Sequence, residues 1–316
     1  MSSTESTIAC MSFLRTFLLA ALVSLPLFAQ ADLPYSHVEA WAQMPDDYTP
    51  GAGMAVALDA DGNVWYYNRG SHPVIQFSPD GKVLQAWKED PKLSSHATSA
   101  HGMGVGPDGA VWLVRRETNH VYKFSQEGRV LLAIGGFSGM QGDNSAKYAF
   151  DRPAGVTHDS AGNAYIADGY RNTRVAKYGP TGEYITHWGG KGTAKGQFNL
   201  VHGVTSDPQD RIYVADRGNK RIQVFDTDGK HLNMWDGFGT PWALDWDAEE
   251  GGLWVCDGDN GRVLKFSQKG KLLGGFGSDG PEPGQLHQVH GIAVSTDGAI
   301  YVAETVNQRI QKFVKK

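Results

Sequence analysis

Apolar residues recur along this chain in short runs of strand length, separated by polar turns, with no helical period after residue 31. The clearest runs follow turns rich in Asp, Gly or Ser: DADGNVWYY (59–67), GPDGAVWLV (106–114), DSAGNAYIA (159–167), DPQDRIYVA (207–215), DAEEGGLWVC (247–256) and STDGAIYVA (295–303). A second run follows each, ending at Phe77, Phe124, Tyr178, Phe225, Phe266 and Phe313. After another turn most copies add a third, such as VLQAW or YITHW. A further apolar segment precedes each turn: MAVAL, HGMGV, AGVTH, HGVTS, WALDW and HGIAV. Four strands per copy in six copies predict an all-β fold, a six-bladed β-propeller of four-stranded antiparallel blades. An open solenoid would need capping copies, and the pattern offers none. The last copy stops at its third strand (308–314), and the segment 37–44 resembles the missing outer strands. An N-terminal strand paired with the C-terminal blade would then close the ring and leave no open edge.

Counting back a fixed distance from each turn puts Met54, His101, Ala154, His202, Ala243 and His290 in register. The fifth copy carries a one-residue insertion, so Trp242 competes with Ala243. Three of the eleven histidines thus fall at one repeat position in alternate copies. In a closed ring those copies lie about a third of a turn apart, and their imidazoles meet at the axis. Three neutral imidazoles with an open position suit zinc (Zn2+) first, and other divalent transition metals also. His37, His96, His120, His158, His187, His231 and His287 show no such register.

Just past the second strand, Arg69, Arg116 and Arg217 are equivalent by count, and Tyr170 lies one residue beyond that position in copy three. Guanidinium groups there suit a carboxylate ligand. For Arg69 and Arg217 a ligand clamp and a plain loop tie fit the pattern equally, and Tyr170 also reads as a surface aromatic. Asp168, Asp216 and Asp257 read as loop ties. The Gly-Gly pairs at 135–136, 189–190 and 274–275 read as turns, since no βαβ unit surrounds them.

Composition narrows the setting. Arg15, the apolar stretch FLLAALVSLPLF (17–28) and Ala29-Gln30-Ala31 predict a signal peptide over 1–31, leaving one domain over 32–316. That implies an exported protein, periplasmic or secreted, without stable membrane insertion. The net charge of −5 in a mixed-charge chain argues against nucleic acid as a partner. Cys10 leaves with the leader, so Cys256 has no intramolecular partner.

The copies resemble NHL repeats. More specifically, the mature chain resembles the peptidyl-α-hydroxyglycine α-amidating lyase family. The matching segments are ALDADGNVWYYNRGSH around Arg69, AHGMGVGPDGAVWLV around His101 and IADGYRNTRVAKY around Tyr170. They continue with GQFNLVHGV around His202, VADRGNKRIQVF around Arg217 and QVHGIAVSTDGAIYVAE around His290. The resemblance implies zinc on His101, His202 and His290, Tyr170 as catalytic base, and Arg69 and Arg217 holding the substrate. It implies a small-molecule or peptide substrate with a C-terminal α-hydroxyglycine, cleaved to a primary amide and glyoxylate, and an upstream hydroxylating monooxygenase as a possible partner. Some residues depart from the family. Gly291 stands where the family has the aspartate that binds calcium (Ca2+), beside carbonyls matching Val56 and Met103, which puts calcium in doubt. Gln288 and Arg171 also differ, and Arg116 is an added positive charge. The alternatives are a non-catalytic NHL scaffold that binds protein or glycan, and a propeller hydrolase of the lactonase type, whose sites use carboxylates and Asn around calcium.

Overall fold

In the computed structural model, the described residues are 31–88 and 99–316. Most of the predicted leader, and His96, lie outside them. Residues 31–316 form six four-stranded antiparallel sheets, the blades of a propeller. The inner strands are Gly53–Leu58, Ala100–Val105, Pro153–His158, Val201–Ser206, Pro241–Asp247 and Val289–Val294, here blades one to six. Among the described residues no helix is long and apolar enough to cross a membrane.

Four of the blades, one, three, four and five, are set by an aspartate in the turn. Asp59, Asp159, Asp207 and Asp247 are buried, although charged side chains normally avoid the interior. Their carboxylates accept turn N–H groups on one side. On the other they accept from the polar tip of an aromatic on the next strand: Trp65, Tyr165, Tyr213 and Trp254. The spacing is six residues in three blades and seven in blade five, where the insertion lies. These aromatics lie in the cores between neighbouring blades, so turn chemistry and blade packing are fixed by the same residues.

The ring closes as predicted in kind but at a different segment. Tyr35–His37 is the outer strand of blade six, with Tyr35 opposite Lys315 and His37 opposite Phe313. The segment after it does not continue the strand. Ala40 has a positive φ of 49°, which ends the extended run. The chain then crosses to blade one, where the Trp41 indole packs against Phe77 and Tyr301 and donates to the Pro79 carbonyl.

Candidate metal centre

His101, His202 and His290 meet at the axis. Their ring centroids lie 4.6–5.0 Å apart, and one ligating nitrogen from each falls within 4.8 Å of the others. Among the described residues no other three such side chains come together. Each ring is donated by one blade and held by the next. His101 Nδ1 donates to the Ala154 carbonyl at 2.6 Å, His202 Nδ1 to Trp242 at 2.6 Å and His290 Nδ1 to Met54 at 2.8 Å. A carbonyl only accepts, so each Nδ1 carries the proton and each Nε2 presents a lone pair. Trp242, rather than Ala243, therefore takes the fifth place in the register.

Sequence reading missed why each histidine precedes a glycine. A Cβ at Gly102 would sit 2.4 Å from the Ala154 oxygen, at Gly203 2.8 Å from the Trp242 oxygen, and at Gly291 2.6 Å from Ala55 Cα. The glycine lets the neighbouring backbone come close enough to accept from the ring. Gly291 therefore has no room for a side chain in this packing, and the family's calcium carboxylate has no counterpart there.

Burial drives the pKa of His101 and His202 well below the ordinary histidine value, with the other rings adding to the effect, and that of His290 down to about 3. All three are neutral at physiological pH, the state that binds metal. Tyr170 Oη lies 3.1 Å from His101 Nε2 and 3.0 Å from His202 Nε2. One hydroxyl proton cannot serve two lone pairs, and His290 brings a third. The converging set is rich in lone pairs and poor in protons, which is the donor set of a transition-metal site.

The mouth above the triad is built by one repeated backbone bond. The N–H groups of Arg69, Arg116, Tyr170 and Arg217 donate to the carbonyls of Ala52, Ser99, Arg152 and Leu200, just before their own blades' inner strands. Tyr170 takes the place of an arginine because Gly169 is an extra residue pressed against blade four, where a Cβ would lie 1.9 Å from the Val201 oxygen. Three of these side chains reach toward the next blade. Arg69 donates twice to the Ala100 carbonyl, at 3.0 and 3.1 Å. Arg116 stands 4.8 Å over the Tyr170 ring. Arg217 lies 3.6 Å over the Trp242 ring and hydrogen-bonds Tyr170. Burial lowers the pKa of both Arg69 and Arg217, helped for Arg69 by Arg116, so an anion placed there would relieve them.

Asp168, Asp216 and Asp257 tie loops, as the sequence indicated. Asp168 pairs with Arg174 at 2.9 Å, Asp216 with Arg221 at 2.7 Å, and Asp257 accepts from Asn260 and the Thr240 N–H. Glu304 does the same for blade six, with Arg309. On the other side of the triad a cavity of about 550 Å³ runs down the inner strands. Asp245 lines it, its pKa pushed up to about 7 by burial, with one oxygen accepting from the Val294 N–H at 2.7 Å. No repeat register marked Asp245, so sequence reading passed over it.

The NHL repeat family model matches residues 198–225 and 286–313, the inner three strands of blades four and six. The chain is 31% identical over 296 residues to NHL repeat-containing protein 3 of Mus musculus, covering 85% of this chain and 81% of that one. It is 29% identical over 320 residues to peptidylglycine alpha-amidating monooxygenase of Rattus norvegicus, covering 88% of this chain but 32% of that protein. This chain thus spans about a third of the monooxygenase. Among solved structures, a streptogramin B lyase superposes with a TM-score of 0.61 at 15% identity, over 89% of this chain and 98% of the other, a likeness of fold.

Proposed function

The chain belongs to the NHL-repeat family of β-propellers, and from that premise we propose that it is a metal-dependent lyase acting on α-hydroxyglycine amides. The observation that carries the reading is the single phenol oxygen within 3.1 Å of two imidazole nitrogens of a buried three-histidine set. The partial match to the amidating monooxygenase supports it.

His101, His202 and His290 would hold the ion, with zinc the first choice. A bound ion of this kind lowers the pKa of an oxygen it contacts. Arg69 and Arg217 would clamp the glycine carboxylate in bidentate fashion. Tyr170 would accept the proton of the carbinol hydroxyl. As the carbon–oxygen double bond forms, the carbon–nitrogen bond breaks and its electron pair stays on nitrogen. The nitrogen regains a proton, which Tyr170 is placed to return, leaving a primary amide and glyoxylate. Trp242 positions two parts at once, since its ring carries Arg217 and its carbonyl carries His202. A monooxygenase supplying the hydroxylated substrate, and export of the protein, belong to the same proposal.

Metal-loaded protein should release glyoxylate from an acylated α-hydroxyglycine, and Tyr170→Phe should cut kcat about 10²–10⁴-fold, the usual worth of a positioned acid–base group. No release by the wild type, with Tyr170→Phe indistinguishable, would refute it. A second reading, a non-catalytic scaffold, is favoured by the extended match to a relative named only for its repeats. That reading predicts that alanine at the three histidines changes neither bound metal nor function.

A further inference from the structure

Arg116 has no part in the chemistry above, yet it stands in the same mouth. Its guanidinium lies over the Tyr170 ring and donates to Glu117, with Nε 2.8 Å and Nη2 2.6 Å from one carboxylate oxygen. The other oxygen of Glu117 receives Arg152 at 3.0 Å. Two guanidiniums from adjacent blades therefore share one carboxylate. Arg69 and Arg217 carry no salt bridge among the described residues, and their ties run to a carbonyl, an aromatic face and a phenol. Of these four permanent cations, Arg116 and Arg152 share one carboxylate, while Arg69 and Arg217 have none in ion-pair contact and Asp259 acts on Arg217 only from beyond that distance, in a chain whose net charge is −5. The imbalance is local and lies on the wall formed by blades one to four.

A substrate with one carboxylate would answer Arg69 and Arg217 and leave the pair on Glu117 with an uncompensated charge. Arg116 and Arg152 are partly solvated, their side chains 22% and 39% exposed, so they are open to an incoming group. The Arg116 guanidinium lies 4.8 Å from the centre of the Tyr170 ring. One residue of extended chain advances about 3.3–3.6 Å, so the side chain of the residue before the hydroxyglycine would reach that distance. We infer that Arg116, backed by Arg152, selects substrates whose acyl half carries a second carboxylate, placing an acidic residue immediately before the α-hydroxyglycine. The inference rests on the lyase reading for the position of the first carboxylate.

The test is binding, separate from turnover. N-acetyl-Glu-Gly and N-acetyl-Gln-Gly lack the carbinol hydroxyl, so they bind without reacting. Calorimetric titration of the metal-loaded full chain should show the glutamyl peptide about tenfold tighter, a preference carried by one charge-assisted contact and weakened by salt. Arg116→Gln should bring the ratio close to one. Arg116→Lys keeps the charge without the fork and should retain part of the preference, which separates charge loss from a folding defect. Equal binding of both peptides by the wild type would overturn the proposal, as would a preference untouched by Arg116→Gln, or no binding of either peptide. If the preference holds while neither corresponding α-hydroxyglycine yields glyoxylate, the lyase reading fails alone and anion selection stands.

Discussion

Alternate blades share one strand plan and part company at a single layer. Blades two, four and six place His101, His202 and His290 at the axis, each followed by a glycine. Blades one, three and five place Met54, Ala154 and Trp242 there and contribute carbonyls instead. The difference teaches that the centre is made by blade pairs. One blade supplies the ring, and its neighbour fixes the tautomer and the direction of Nε2. This is the outer-shell support that metal-binding histidines ordinarily need.

The comparison breaks most sharply when a ring is removed from an even blade. His202→Ala should lower metal affinity by at least about 100-fold and abolish glyoxylate release. Met54→Ala, the matched change in an odd blade, should keep the ion, because its carbonyl remains, and cost about 2–5 kcal/mol of stability through the lost packing. Metal titration and urea unfolding of the two proteins measure both. Equal metal affinity in the two variants would contradict the division of labour.

A subtler change acts on the acceptor. Gly102→Ala would press a methyl to 2.4 Å from the Ala154 oxygen that receives His101. Metal affinity should fall about 10–100-fold, as for other losses of outer-shell support. Gly155→Ala, at the corresponding place in odd blade three, meets the His202 oxygen at 3.1 Å, and that oxygen receives no imidazole. It should leave metal affinity within about threefold, given that only a few tenths of an ångström must be absorbed. Comparable losses in both would mean that the glycines serve general packing.

Metal-stripped protein should also lose stability as the pH falls. The folded state keeps the triad and His158 neutral, with His290 at about 3 and His158 at about 4, while unfolded histidine titrates near 6.5. Below pH 6.5 the unfolded chain takes up protons that the folded chain refuses, so stability falls with falling pH. Each such histidine contributes at most about 1.4 kcal/mol per pH unit. Asp245 works in the opposite sense, since a raised folded pKa favours the folded state at low pH and that advantage is lost as pH rises toward 7. Four histidines outweigh one aspartate between pH 6.5 and 4. Urea midpoints should drop steadily over that range, and His101→Gln with His202→Gln and His290→Gln should flatten the fall. Midpoints independent of pH would contradict the buried neutral rings.

Much of this was legible in the sequence, because the repeat writes the same information six times. Turns of Asp, Gly or Ser before aromatic strands marked the blades, and counting from them located the histidine layer and the arginine position. The rest depended on contacts between copies. The competition at Trp242 and Ala243 is settled by which carbonyl meets His202, a contact 40 residues away in sequence. Tyr170 shares the arginine position because Gly169 is absorbed against blade four, which no count within blade three reveals. The closing strand lies at Tyr35–His37 because the Trp41 indole has a better place between blades. The pairing of Glu117 with Arg152, and the seat of Asp245 in the channel, link different blades and leave no periodic trace.

The account stands on one ion shared by three blades, and elemental analysis of the purified full-length protein tests that most directly. It predicts about one divalent transition metal, zinc first, per chain, and none above background once His101, His202 and His290 are all alanine in a protein that still folds. Metal-free wild type that cannot be loaded, or metal retained in equal amount by the folded triple variant, would contradict it.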